Sequence, residues 1–214
     1  MEKSKAKLEN LIFSALLLFF AVGAVGHIIK PTQNFMLDFT KYFLLIVSGL
    51  LSFFLFNPFD KKIFFWFIVI YVLTFLSEVI GVHTGLIFGN YSYGNILGKK
   101  IFGVPPVIGL NWVFVILGSY QFAQKLKFSK NESVFFASLL AVLFDFILEP
   151  VAIKLGYWSW KGGEIPNYNY FSWWVISLVA LFFLSKLKVE FYTNLLYKFF
   201  IIQFFFFLII NIGL

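Results

Sequence analysis

The chain has 214 residues, 61% of them hydrophobic and only 13% charged, with a net charge of +7. A soluble domain averages roughly 45–50% apolar and about 25% charged residues, so this composition excludes an ordinary soluble fold and predicts an integral membrane protein, read as one domain over residues 1–214. All 17 basic residues are Lys, set at helix ends without a dense patch, which argues against a nucleic-acid partner. Cys is absent, which rules out disulfides, Fe–S clusters and thiol catalysis. The two histidines, His27 and His83, are too few for a membrane di-metal oxygenase, and no metal or other cofactor is expected.

The apolar runs are each about 17–22 residues long, the length a helix needs to cross a ~30 Å hydrocarbon core. They do not alternate as barrel strands do. The expected fold is therefore all-α: a polytopic bundle of about seven transmembrane helices in the cell membrane, with the lipid bilayer as its solvent. The spans are predicted at 9–26, 39–56, 63–82, 105–124, 132–153, 170–186 and 193–213. The first resembles a secretory signal, with lysines, an apolar core and small residues, but is read as an uncleaved helix. With the N-terminus inside, ten lysines fall in or beside inner loops and six on the outer side, which favours an N-in, C-out orientation.

Helices three and five are each followed by a long loop, 83–104 and 154–169, on the sparser side. Loops of this length are often functional. The two segments also match each other. Glu78 precedes Tyr91 by 13 residues and Asp145 precedes Trp158 by 13. Gly89-Asn-Tyr91-Ser-Tyr93 parallels Gly156-Tyr-Trp158-Ser-Trp160, and Trp112 and Trp173 each follow a proline by 7 residues. Helices 3–4 and 5–6 thus read as parallel repeats about an axis along the membrane normal, with a site between them.

Of the ten carboxylates, Glu2, Glu9, Asp38, Asp60, Glu132, Glu164 and Glu190 read as solvated. Glu78, Asp145 and Glu149 lie inside apolar spans. A charged group at mid-bilayer costs about 2.5–3.5 kcal/mol on insertion scales, so such residues usually face the interior and carry function. Asp145 and Glu149 share a helix face at i, i+4. The plainer alternative for all three is helix-to-helix hydrogen bonding, and for Glu149 a role at the break expected from Pro150. Tyr91, Tyr93, Trp112, Trp158, Trp160 and Trp173 are candidates to surround a cation, against the alternative of an interfacial aromatic belt. Asn111 and Asn169 are candidate polar anchors. His83, just after helix three, is a further candidate, although a lone His there is more often only hydrogen-bonded.

These motifs, E-x-x-G-x-x-T-G at 78–85, F-G-x-Y-x-Y at 88–93, G-V-P at 103–105, Asn111-Trp112, D-x-x-x-E-P at 145–150 and W-x-W followed by I-P-N at 158–167, resemble the CruF-type membrane carotenoid hydratases. That group of carotenoid biosynthesis proteins includes the bisanhydrobacterioruberin hydratases. The resemblance covers residues 65–185. It departs near Ile165-Pro166-Asn167, where a second asparagine, Asn169, competes with Asn167 for the family's role. The resemblance implies a cofactor-independent hydro-lyase acting on a carotenoid and water, adding the water across the terminal 1,2 double bond of an acyclic end group to give a tertiary 1-hydroxyl. The residues fit: a strong acid (Asp145 or Glu78), rings around the cation, and a second carboxylate or Asn111 to orient water. The rivals are a lycopene-cyclase-like enzyme, which shares the protonation step, and a membrane carrier using the repeat interface. Protein partners are not indicated.

Overall fold

The computed structural model describes residues 2–214, with side chains from Lys5 onward. The expectations for Glu2 and Lys3 side chains therefore fall outside the described part. Seven helices follow one another: α1 (Glu2–Ile28), α2 (Lys30–Leu55), α3 (Lys61–Thr84), α4 (Pro106–Lys125), α5 (Lys130–Lys154), α6 (Asn167–Lys186) and α7 (Leu195–Gly213). All seven are long and apolar enough to cross a membrane. Large apolar side chains such as Leu18, Phe53, Phe65, Phe146 and Phe183 line the outer surface. Helices suit this setting because they satisfy their own backbone hydrogen bonds where no water can.

The helix ends carry ordinary stop and start chemistry. Asp60 caps α3 by accepting from the Lys62 amide at 2.7 Å. Ser129 and Glu132 form a capping box at the start of α5. Proline precedes or opens α4 and α6 (Pro105, Pro106, Pro166), where a missing N–H costs nothing. Gly85 ends α3 in the left-handed conformation at φ 68° and donates to the Gly81 carbonyl at 2.8 Å.

Two expectations about the helices are corrected. The second span begins at Lys30, well before the expected 39, and only Ile29 separates it from α1. The expected spans left residues 27–38 between the first two helices. Instead Thr32 Oγ1 donates to the Gly26 carbonyl at 2.9 Å and Gln33 Nε2 to the His27 carbonyl at 2.7 Å, so these side chains serve the last carbonyls of α1. Glu9, expected to be solvated, is buried, and its Oε2 accepts from the Asn194 amide at 3.2 Å at the start of α7.

α4 is the axis of the bundle. It packs against α2, α3, α5, α6 and α7, and 78% of its apolar span is buried, more than in any other helix. α7 lies between α1 and the α4–α5 pair. The core divides into two clusters. One surrounds Leu51, Ile63, Phe114, Leu181 and Leu196. The other, under the long loops, holds Phe88, Trp112, Phe144, Trp158 and Trp173.

The all-helical reading gains one small addition. Tyr91–Tyr93 and Trp158–Trp160 form strands β1 and β2, paired antiparallel, with Ser92 opposite Ser159.

Candidate active site

α3 carries Glu78 two turns before its end, 4% exposed. α5 carries Asp145 and Glu149 one turn apart on one buried face, at 2% and 3% exposed. The helix continues past Pro150 to Lys154. α6 contributes Asn169 and Trp173, again one turn apart and buried. α4 contributes Trp112 and Asn111 from its first two turns.

The two strands lie across these helix ends. Side chains alternate along a strand. Tyr91, Tyr93, Trp158 and Trp160 therefore turn one way, towards the carboxylates, and Ser92 and Ser159 turn the other way and are exposed. Cross-strand rings pack directly, Tyr91 on Trp160 at 4.9 Å between centroids and Tyr93 on Trp158 at 5.7 Å. On a further wall Phe88, Trp173 and Trp112 form a stack, with centroids 4.7 and 3.6 Å apart.

Each acid is held by a neutral donor. Trp158 Nε1 and Trp160 Nε1 both donate to Glu149 Oε2, each at 2.9 Å. Asn169 Nδ2 donates to Asp145 Oδ2 at 3.0 Å. Tyr91 Oη donates to Glu78 Oε2. Burial first, and then the charge of Glu78, push the Tyr91 phenol well above the usual tyrosine range, and the same causes act on Tyr93. Tyr91 therefore stays a hydrogen-bond donor.

Glu78, Asp145 and Glu149 line one pocket together with the six aromatic candidates and both candidate asparagines; its volume is about 20 Å³. That is enough for a single water, which needs roughly 10–15 Å³ and several polar partners. No described cluster of His, Cys, Asp or Glu has the arrangement to hold a metal ion. Chemically the pocket offers proton donors and acceptors, one water position, and a wall of π faces able to stabilise a developing cation.

Eleven of the twelve candidate residues line this pocket. His83 does not: it is exposed, and its Nε2 lies 3.1 Å from the Phe102 carbonyl, so the hydrogen-bonded alternative describes it. Asn169, and not the exposed Asn167, reaches the acids. Sequence reasoning missed Phe88, which stacks on Trp173. It also missed Gln203 of α7, whose Nε2 donates to Asn111 Oδ1 at 2.7 Å. The available signal was a lone amide within an unbroken apolar run.

Comparison with known proteins supplies a family for this geometry. Residues 39–214 match the family model described as carotenoid biosynthesis protein. A bisanhydrobacterioruberin hydratase of Haloarcula japonica is 27% identical over 190 residues, an alignment covering 79% of this chain and 62% of that protein. The chain thus spans less than two thirds of that relative's length. No solved structure matches it significantly.

Proposed function

The chain belongs to the carotenoid biosynthesis protein family, and on that premise we propose that it adds water across the terminal 1,2 double bond of an acyclic carotenoid end group, leaving a tertiary 1-hydroxyl. The observation that carries this reading is the joining of three buried carboxyl groups and a ring of Trp and Tyr side chains around a water-sized pocket. The name of the Haloarcula japonica relative supports the same reaction class.

The chemistry follows in order. Asp145, held at one oxygen by Asn169, delivers a proton to C2 of the end group. The alkene π pair becomes the new C2–H bond and leaves a tertiary cation at C1. Tyr91, Trp158, Trp160 and Trp173 present π faces to that cation. Glu149, anchored through one oxygen by two indole N–H groups, supplies a fixed negative counter-charge. Water attacks C1 and loses a proton to Glu78, which Tyr91 orients. A proton passing from Glu78 back to Asp145 restores the enzyme, and the sum is addition of one water with no change of oxidation state, so no electron carrier is consumed.

The test is expression in a lycopene-producing bacterial host, with chromatography and mass spectrometry of the pigments. The expected product is more polar, carries the mass of one or two added waters, and keeps the chromophore unchanged. An isomeric, less polar cyclised product would replace this reading with a cyclase. Wild-type hydration by both Asp145→Asn and Glu78→Gln would overturn the mechanism, because a positioned acid or base contributes about 10²–10⁴ in rate.

A further inference from the structure

A second cavity, of about 310 Å³, lies between α1, α2 and α7. It is at the lower end of the sizes that hold small molecules. Phe19, Phe20, Phe39, Phe43, Phe206 and Phe207 line it, so flat rings dominate the wall. Two further lining residues connect it to the carboxyl pocket. Gln203 lines the cavity and bonds Asn111, which lines the pocket. Tyr157 lines the cavity and is followed in sequence by Trp158, whose indole holds Glu149.

Gln203 is also unusual in itself. It is 2% exposed, and its Oε1 has no hydrogen-bond partner among the described residues. A buried acceptor without a partner is unfavourable. One hydrogen bond therefore holds this side chain between the two spaces, and displacing it sacrifices little else. The carboxyl pocket alone, at about 20 Å³, admits water but not an isoprenoid end group.

We propose that the α1–α2–α7 cavity is a binding site for the isoprenoid chain of the substrate, holding the segment next to the reacting end, which reaches the carboxyl groups past Gln203 and Asn111. This inference rests on the hydratase reading and assigns the part of the substrate that reading leaves without a seat. Flat, conjugated hydrocarbon suits a wall of phenylalanine faces. Gly23, on the α1 side of the cavity, supplies the lever for a test. A Cβ there meets only Phe206 Cε2, at 3.4 Å, so added bulk goes into the cavity without disturbing backbone.

The experiment uses the full chain in nanodiscs with lycopene as the probe. It reads the circular dichroism induced in the polyene bands, and separately the KM and kcat of hydration. Gly23→Ala should weaken the induced signal. Gly23→Leu should abolish it and raise KM about tenfold or more, with kcat changed by no more than about twofold. Phe43→Trp fills the same space from α2 and serves if Gly23→Leu fails to assemble. An induced signal and KM unchanged in these variants would overturn the proposal and leave the cavity to lipid acyl chains. If hydration is absent but the signal is present and lost in Gly23→Leu, the cavity stands and the hydratase reading falls. If hydration proceeds and is indifferent to Gly23→Leu, the reverse holds. Neither signal nor product from the wild type would overturn both.

Discussion

The convergence of two indole N–H groups on Glu149 Oε2 is the arrangement at residue scale with the clearest consequence. Hydrogen bonds to a charged acceptor are worth about 1.5–3 kcal/mol. If Glu149 is a fixed counter-charge, Trp158→Phe or Trp160→Phe should each cost about tenfold in kcat, since ~1.4 kcal/mol is a factor of ten in rate. Both variants keep a ring against the cation, so the loss isolates the N–H. Steady-state pigment turnover measures it, and an unchanged kcat in both would remove Glu149 from the mechanism. Tyr91 makes a different prediction. An unperturbed phenol ionises near about pH 10. Burial and Glu78 raise that of Tyr91, so its neutral, donating form persists above this pH. The hydration rate should therefore show no fall near pH 10 that disappears in Tyr91→Phe, while Tyr91→Phe should lower the rate across the whole profile.

At the scale of elements, β1 and β2 place four of the rings and orient two of the acids. Their pairing depends on a close backbone approach just beyond β1. The Gly94 amide donates to the Tyr157 carbonyl at 2.8 Å, and a Cβ on Gly94 would run into the Gly156 carbonyl oxygen. Gly94→Ala should therefore separate the strands and destabilise the fold by ~1–3 kcal/mol, the usual range for a backbone clash. Faster hydrogen exchange at the Gly94 amide, together with lost turnover, would report it; an unaffected amide would show that the loops accommodate the methyl. The sequence made the two aromatic-Ser-aromatic copies visible through equal spacing from Glu78 and Asp145. It did not reveal that the copies pair with each other, because three-residue strands carry no periodic signal. The helices were legible from their apolar runs, except where polar residues such as Thr32 and Gln33 cap a neighbouring helix end. The carboxylates stood out because charge inside an apolar span is rare. Gln203 did not, because its significance lies in a contact with Asn111, 92 residues away.

For the whole molecule, the proposed reaction requires an oxygen atom to reach a hydrocarbon inside a bilayer. The family match begins at residue 39, within α2, so the α1 wall of the phenylalanine-lined cavity lies outside the matched stretch. The carboxyl pocket and its covering strands lie inside it. The α2 and α7 walls of the cavity, with Phe43, Gln203 and Phe206, lie inside the matched stretch as the carboxyl pocket does. In the proposed reaction the hydroxyl oxygen comes from water alone, and the polyene is neither oxidised nor reduced. Two predictions follow from this balance. Hydration should proceed at an undiminished rate without molecular oxygen, and product formed in water enriched in oxygen-18 should carry one heavy oxygen per hydroxyl. A tertiary alcohol exchanges its oxygen only by returning to the cation. Label incorporated after the hydroxyl has formed would therefore mean that the enzyme also regenerates the C1 cation, the reverse of water capture, which the same groups would catalyse by microscopic reversibility. Mass spectrometry of pigments from anaerobic, labelled reactions separates these cases. An unlabelled hydroxyl, or a strict requirement for oxygen, would place the reaction outside acid-catalysed hydration and remove the proposed roles of Asp145 and Glu78.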